Sequence, residues 1–198
     1  MISVFGFTHA GYAHRVKRTN MKYKITTLIL IAALAVALSV PVAAVSKVSF
    51  PGTSKAPDPT GRYTITWADS SPHELFFKAI KKGNQQHFLS FTRHVDVFWS
   101  PDGNAFAVTD WGGSDYSDAV IYLPEEINKP INLKDALKKT FGGLPEIERN
   151  HHVYFEVLDW ATPEILTFKV HGYGDFNPDG FEKVFDFNLK DGKINRKQ

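Results

Sequence analysis

The sequence predicts an all-β domain of antiparallel sheets, with about nine strands and one short helix. Three observations favour this fold class. Hydrophobic residues alternate with a period of two from Arg62 onward, the chain holds 16 Phe, 7 Tyr and 4 Trp, and short Gly-, Pro- or Asn-containing turns separate the runs. Strands do not alternate with helices, which disfavours a parallel α/β sheet. We therefore expect a sandwich or a small blade-like assembly.

Each strand is predicted from its own alternating run. In the first run Tyr63, Ile65 and Trp67 share one face, and in the eighth Leu166 and Phe168 do so. The nine predicted strands are RYTITWA (62–68), ELFFKAI (74–80), QHFLSFT (86–92), VDVFW (95–99), NAFAVTDW (104–111), SDAVIYL (117–123), HVYFEVLDW (152–160), EILTFKV (164–170) and FEKVFDFNL (181–189).

One helix is predicted in NLKDALKKTFGG. Asn132 is a suitable N-cap, Asp135 occupies the third helical position, and Gly142 can end the helix. Lys134, Lys138 and Lys139 form its polar side, which we interpret as a solvated face.

The amino-terminal region has the pattern of an export signal. Residues 1–20 precede Met21 as an upstream extension, and residues 21–44 carry two lysines, an apolar run and the small residues Val42-Ala43-Ala44. The alternative is a membrane anchor, but the run from Ile25 to Val40 is shorter than the roughly 20 residues of a spanning helix. We expect cleavage and a periplasmic or secreted protein, with membrane association only if the leader is retained.

The remaining chain is predicted to contain a flexible lead-in, residues 45–61, and one all-β domain, residues 62–198. Residues 1–44 hold five Lys or Arg and no acid, which leaves 18 basic and 21 acidic residues beyond them. This mildly acidic balance argues against a nucleic-acid partner, because phosphate binding needs a basic surface. The chain has no cysteine, which excludes disulfides, thiolate metal sites and a thiol nucleophile.

The stretch FWSPDGNAFAVTD contains a turn signal between two strands. Pro101 and Asp102 suit the central turn positions and Gly103 the left-handed position that follows, so a hairpin with a bulge is expected. The stretch resembles the W-S-P-D-G hairpin in blades of WD40-like propellers, including the TolB-type periplasmic propellers. The resemblance covers residues 95–123 and implies an inner-strand hairpin without a catalytic role. A complete propeller is not expected, because a blade takes about 40–45 residues and closed propellers have at least four.

A second turn, DFNPDG, also spells the opening of a calcium loop. Asp175, Asn177 and Asp179 alternate as oxygen donors, and Gly180 permits the bend. The continuation departs from the EF-hand pattern, since Lys183 and Asp186 stand where an EF-hand has its later ligands. Two interpretations therefore stay open: a plain hairpin turn, which the pattern favours, or a site for calcium or another hard cation.

The loop DWGGSDYSD, residues 110–118, is the best candidate for ligand binding. Trp111 and Tyr116 offer stacking surfaces, and Asp115 and Asp118 offer carboxylates beside them. Such a set can hold a sugar or a cationic side chain of a partner. The alternative is a long hairpin loop whose aromatic side chains fold back on the sheet.

The sequence favours a non-enzymatic exported domain that binds an envelope protein or a glycan, without a cofactor other than possible calcium. It contains no G-x-S-x-G or S-x-x-K motif, no helical zinc motif and no phosphate-binding loop. The alternatives are a hydrolase that uses His94, Asp96, Asp110 and Asp115, and a domain whose only site is structural calcium. The sequence predicts neither the partner's identity nor the oligomeric state.

Overall fold

A computed structural model describes residues 47–197, which contain thirteen strands and three short helices. The strands are β1 (Lys47–Phe50), β2 (Lys55–Pro57), β3 (Tyr63–Ala68), β4 (His73–Ala79), β5 (Gln85–Phe91), β6 (Val95–Trp99), β7 (Phe106–Asp110), β8 (Tyr116–Tyr122), β9 (Ile131–Asn132), β10 (His152–Thr162), β11 (Ile165–Tyr173), β12 (Phe181–Asn188) and β13 (Ile194–Arg196). A 3₁₀ turn covers Pro124–Glu126, and the α-helices are α1 (Leu133–Phe141) and α2 (Pro145–Arg149).

The strands form two hydrogen-bonded sheets. The smaller sheet has the order β2-β3-β4-β5, and the larger one has the order β1-β6-β7-β8-β10-β11-β12-β13, with β9 paired to β8. Every pair is antiparallel except β8 with β10, which run parallel over two residue pairs. The predicted all-β fold of antiparallel sheets is confirmed.

Strands β6 to β8 lie between the other two groups of strands and are apolar on both faces. On one face Val97 and Trp99 pack with Ile65 and Phe77 of the four-stranded sheet. On the other face, Phe98 belongs to a second core with β10 to β12 and α1. The result is three stacked layers of strands, in which each layer buries apolar area that would otherwise contact water.

Four of the thirteen strands were not predicted: β1, β2, β9 and β13. Each has two to four residues, too few to show a period. The first two lie in the segment predicted as a flexible lead-in, and there Phe50 and Ala56 are fully buried. Pairing of β1 with β6, which covers the edge of the central layer, explains why this Pro- and Gly-containing segment is ordered.

The predicted helix is present with its predicted caps. The Asn132 side chain accepts a hydrogen bond from the Asp135 backbone N–H at 3.1 Å, and Gly142 ends the helix with φ of 73°. Leu133 and Leu137 are its buried residues, and the three lysines of its polar side are exposed as expected. The short helix α2 was not predicted, because its five residues begin at a proline and contain little apolar pattern.

The first turn is the predicted hairpin. The Gly103 N–H donates to the Ser100 carbonyl at 2.9 Å, the Ser100 N–H donates to the Ala105 carbonyl at 2.8 Å, and Gly103 has φ of 66°. The Asp102 carboxylate accepts from the Ser100 hydroxyl and the Asn104 N–H. Although burial opposes ionisation, these hydrogen bonds lower the pKa of Asp102 below its usual value.

The predictions for residues 1–44, an upstream extension and a signal peptide, lie outside the described residues. Within residues 47–197, no helix combines the length and the apolar character of a membrane span.

Candidate functional site

Trp111, at the start of the candidate loop, is anchored to the protein. Its indole N–H donates to Asp96 Oδ2 at 2.9 Å, and its ring stacks on His94 with 5.6 Å between centroids. Asp96 is only 5 % exposed and also accepts the Ser49 hydroxyl at 2.5 Å, with Lys47 Nζ at 3.5 Å. Trp111 is therefore held at its polar edge, which favours the folded-back interpretation for this one side chain.

The tip of the loop is fixed by two hydrogen bonds that β10 donates to backbone carbonyls of the loop. The Tyr154 hydroxyl donates to the Ser114 carbonyl at 2.7 Å, and the Val153 N–H donates to the Asp115 carbonyl at 3.1 Å. Tyr116 lies directly over two glycines, since a Cβ at Gly113 would fall 2.7 Å from its ring. The Tyr116 side chain is nevertheless 49 % exposed, so the loop presents it to solvent in a defined position.

Aromatic side chains on the outer face of β10 and β11 lie beside this loop. His152 is paired with Tyr173 and Tyr154 with His171, and their rings stack with centroids 4.2 Å and 5.2 Å apart. Tyr173 is 47 % exposed. We call the surface formed by these four residues and by Tyr116, whose loop adjoins them where the Ser114 carbonyl accepts from the Tyr154 hydroxyl, the tyrosine face.

Sequence reasoning missed Tyr154 and Tyr173, although a signal was present. Phe155 points into the core, so its neighbour Tyr154 must point outward on the same strand. An aromatic residue at an outward position, repeated on the next strand, could have identified this surface.

Asp110 and Asp118 lie directly opposite each other on β7 and β8. Burial, together with the charge of Asp118, raises the pKa of Asp110 to about 6. Within residues 47–197, the Asp110 Oδ1 atom is buried without a hydrogen-bond partner. When both carboxylates are ionised, Asp110 and Asp118 therefore repel each other. Asp115, the third acid of the loop, is exposed at its tip.

The contribution of Asp110 to the stability of the protein is expected to fall as the pH rises from about 4 to about 6. Because the Asp110 pKa is higher in the folded than in the unfolded state, the folded protein binds more protons in this range. Asp110→Asn removes that dependence and should raise the free energy of unfolding at pH 7 by about 1 kcal/mol, a value reduced because the group is partly exposed. Urea unfolding at several pH values checks this. The difference in free energy of unfolding between the wild type and Asp110→Asn isolates the contribution of Asp110 from that of other groups. If this difference stayed constant from pH 4 to 6, the prediction would be contradicted.

The four residues of the hydrolase alternative have separate surroundings. His94 stacks on Trp111, and Asp96 accepts hydrogen bonds from Ser49 and Trp111. No hydrogen bond joins any two of His94, Asp96, Asp110 and Asp115 in the described part of the chain. The contacts that His94 and Asp96 make hold Trp111 at the start of the loop.

The second turn is also a hairpin turn, with the Gly180 N–H donating to the Asn177 carbonyl at 3.0 Å and Gly180 at φ of 85°. The Asn177 side-chain oxygen accepts from the Asn150 amide at 2.9 Å, and Asp175 Oδ2 lies 3.1 Å from His151 Nε2. Asp179 is exposed. Within residues 47–197, no three His, Asp or Glu side chains form a metal-binding group. Calcium at Asp175, Asn177 and Asp179 remains a prediction.

The fold and this site define a small all-β domain with a preorganised, exposed aromatic surface. The chain matches no protein-family model and no curated protein. Among solved structures it is similar to the crystal structure of TolB from Acinetobacter baumannii, with a TM-score of 0.40 and 10% identity. The similarity covers 77% of this chain and 32% of that one, so the chain spans about a third of its length.

Proposed function

We propose that the protein is an exported, non-enzymatic binding domain whose partner docks on the tyrosine face. The observation that carries the proposal is the pair of tyrosines 116 and 173, each about half exposed and each held by neighbouring rings or backbone. Fixed aromatic side chains lose little conformational entropy on binding, and tyrosine is enriched at the energetic centres of protein interfaces.

Export is supported by the sequence of residues 21–44, which has the order of a basic start, an apolar run and small residues at its end. The absence of cysteine in all 198 residues is compatible with an oxidising compartment. The periplasmic or secreted location is part of this proposal.

The partner that fits best is another envelope protein with cationic side chains near an apolar patch. Asp115 is exposed and Asp118 half-exposed beside Tyr116, and the chain after residue 44 has more acidic than basic residues. These charges attract a cationic partner and repel an anionic one. A glycan that stacks on the tyrosines is the other outcome that the test distinguishes.

Replacing both Tyr116 and Tyr173 with alanine is expected to weaken partner binding by at least about thirtyfold, because two interface tyrosines together contribute about 2 kcal/mol or more. Immobilised wild-type and variant proteins are incubated with periplasmic and membrane extract from the native host. Captured proteins are measured by quantitative mass spectrometry, and a parallel glycan array records sugar binding.

Ile80→Ala is the matched control, because Ile80 is 49 % exposed and directly follows β4 of the four-stranded sheet, which contributes no residue to the tyrosine face. The control should capture the same partner as the wild type, and all three proteins should have similar melting temperatures. Equal capture by the double variant and the wild type would refute the docking surface. Binding on the array alone would replace the protein partner with a glycan.

A further inference from the structure

A cleft of about 440 Å³ opens between the four-stranded sheet and the segment that follows β8. Its volume lies within the roughly 300–1,000 Å³ of small-molecule sites. Tyr63, Phe77, Ala79 and Pro124 supply its apolar walls. It shares no residue with the tyrosine face.

The rim of the cleft is rich in positive charge. Arg62, Lys81 and Lys82 line it, against one acid, Glu125. Lys81 and Lys82 are exposed and form no ion pair within residues 47–197. Their ammonium groups are therefore available to a ligand.

The walls are held in place before any ligand binds. The Arg62 guanidinium donates to the Asp102 carbonyl at 2.8 Å and to Asn104 Oδ1 at 2.9 Å, and lies 5.2 Å from the centre of the Tyr63 ring. The Tyr63 hydroxyl donates to Glu125 Oε1 at 3.1 Å. Arg62 thus has its Nε and Nη2 groups engaged with the protein, and the two lysines are the cations whose ammonium groups are free to contact an anion.

Two carboxamides complete the lining. Asn84 is exposed, and Gln86 donates to Asn128 Oδ1 at 2.7 Å, which orients its amide toward the segment after β8. Carboxamides both donate to and accept from hydroxyl groups. The cleft therefore combines apolar walls, hydroxyl-binding groups and unpaired cations.

We propose that this cleft binds an anionic saccharide, such as a uronic acid unit. Such a sugar has an apolar ring face for the half-exposed walls at Ala79 and Pro124, hydroxyls for Asn84 and Gln86, and a carboxylate for Lys81 or Lys82. The site is separate from the tyrosine face and does not depend on the proposed function.

Isothermal titration of the exported protein with trigalacturonate tests this proposal, with maltotriose as the neutral sugar and sodium sulfate as the simple anion. We expect binding of trigalacturonate alone, weakened at least about tenfold in Lys81→Ala/Lys82→Ala, since this variant removes both ammonium groups that can form charge-assisted hydrogen bonds to its carboxylates. Glu125→Gln, which removes the repulsive charge at the rim, should tighten binding a few-fold, on the order of one screened surface charge.

Lys138→Ala/Lys139→Ala is the matched control, because it removes the same charge from the exposed side of α1. It should bind like the wild type, and so should the variant of Tyr116 and Tyr173, which separates this site from the proposed docking surface. No binding of trigalacturonate, equal binding of sulfate or maltotriose, or equal losses in the two lysine variants would each overturn the proposal.

Discussion

Asp96→Ala is expected to destabilise the protein by about 3 kcal/mol, because a buried, fully engaged carboxylate is costly to remove. Asp96 accepts hydrogen bonds from Ser49 on β1 and from Trp111 at the end of β7. Its loss leaves both donors without their acceptor and removes the side-chain hydrogen bond that supports the pairing of β1 with β6. Urea unfolding gives the change in free energy. Hydrogen exchange of the amides of residues 111–114 should become faster, because Trp111 holds the start of the loop.

Asp115→Ala is the control for this experiment, because Asp115 is an exposed aspartate of the same loop. Its effect should stay within about 0.5 kcal/mol of the wild type, as for most surface substitutions. Asp96→Asn keeps one acceptor oxygen and should fall between the two. If the two alanine variants had equal stability, Asp96 would not be the anchor of the loop.

Gly103→Ala should cost about 3 kcal/mol, the second large effect. Gly103 has φ of 66°, where a Cβ is unfavourable, and its Cβ would lie 2.5 Å from Asp58 Oδ2. The Asp58 side chain cannot move away easily, because it is buried and accepts the Thr60 and Tyr63 N–H groups. The substitution must therefore separate the turn from the β2–β3 connection on which it packs.

Gly61→Ala separates the two causes. Gly61 has nearly the same φ, 71°, but no atom lies within 4 Å of its added Cβ. It should cost only the backbone strain, about 1 kcal/mol. The difference between the two variants in urea unfolding measures the close approach to Asp58, and equal losses would show that this approach has no energetic consequence.

Local chemistry explains what could be predicted from the sequence. The hairpin at Ser100–Gly103 and the helix that begins after Asn132 depend on turn and cap residues next to each other in the chain, and both have the predicted form. The nine longer strands could also be predicted, because five or more residues are enough to show an alternation with a period of two.

The remaining features depend on contacts between distant residues. Strands β1 and β13 exist because they pair with β6 and β12, and the parallel pair of β8 and β10 joins segments with two helices between them. For Trp111 the sequence left open a stacking surface or a side chain folded back on the sheet, and its hydrogen-bond partner Asp96 lies fifteen residues earlier, outside the loop. The Tyr154 hydroxyl reaches the loop of Tyr116 at the Ser114 carbonyl, and pairing of β10 with β11 puts Tyr173 on the same face as Tyr154; no local pattern specifies either contact.

Photo-crosslinking in living cells tests the central claim, an exported domain that docks through the tyrosine face, most directly. A benzophenone amino acid is placed at Tyr173 or at Ile80, and the adducts are sized and sequenced. We predict an adduct between an envelope protein and a mature chain that begins at Val45, formed from position 173 and absent from position 80. A chain that keeps residues 21–44, or the same adducts from both positions, would contradict the claim.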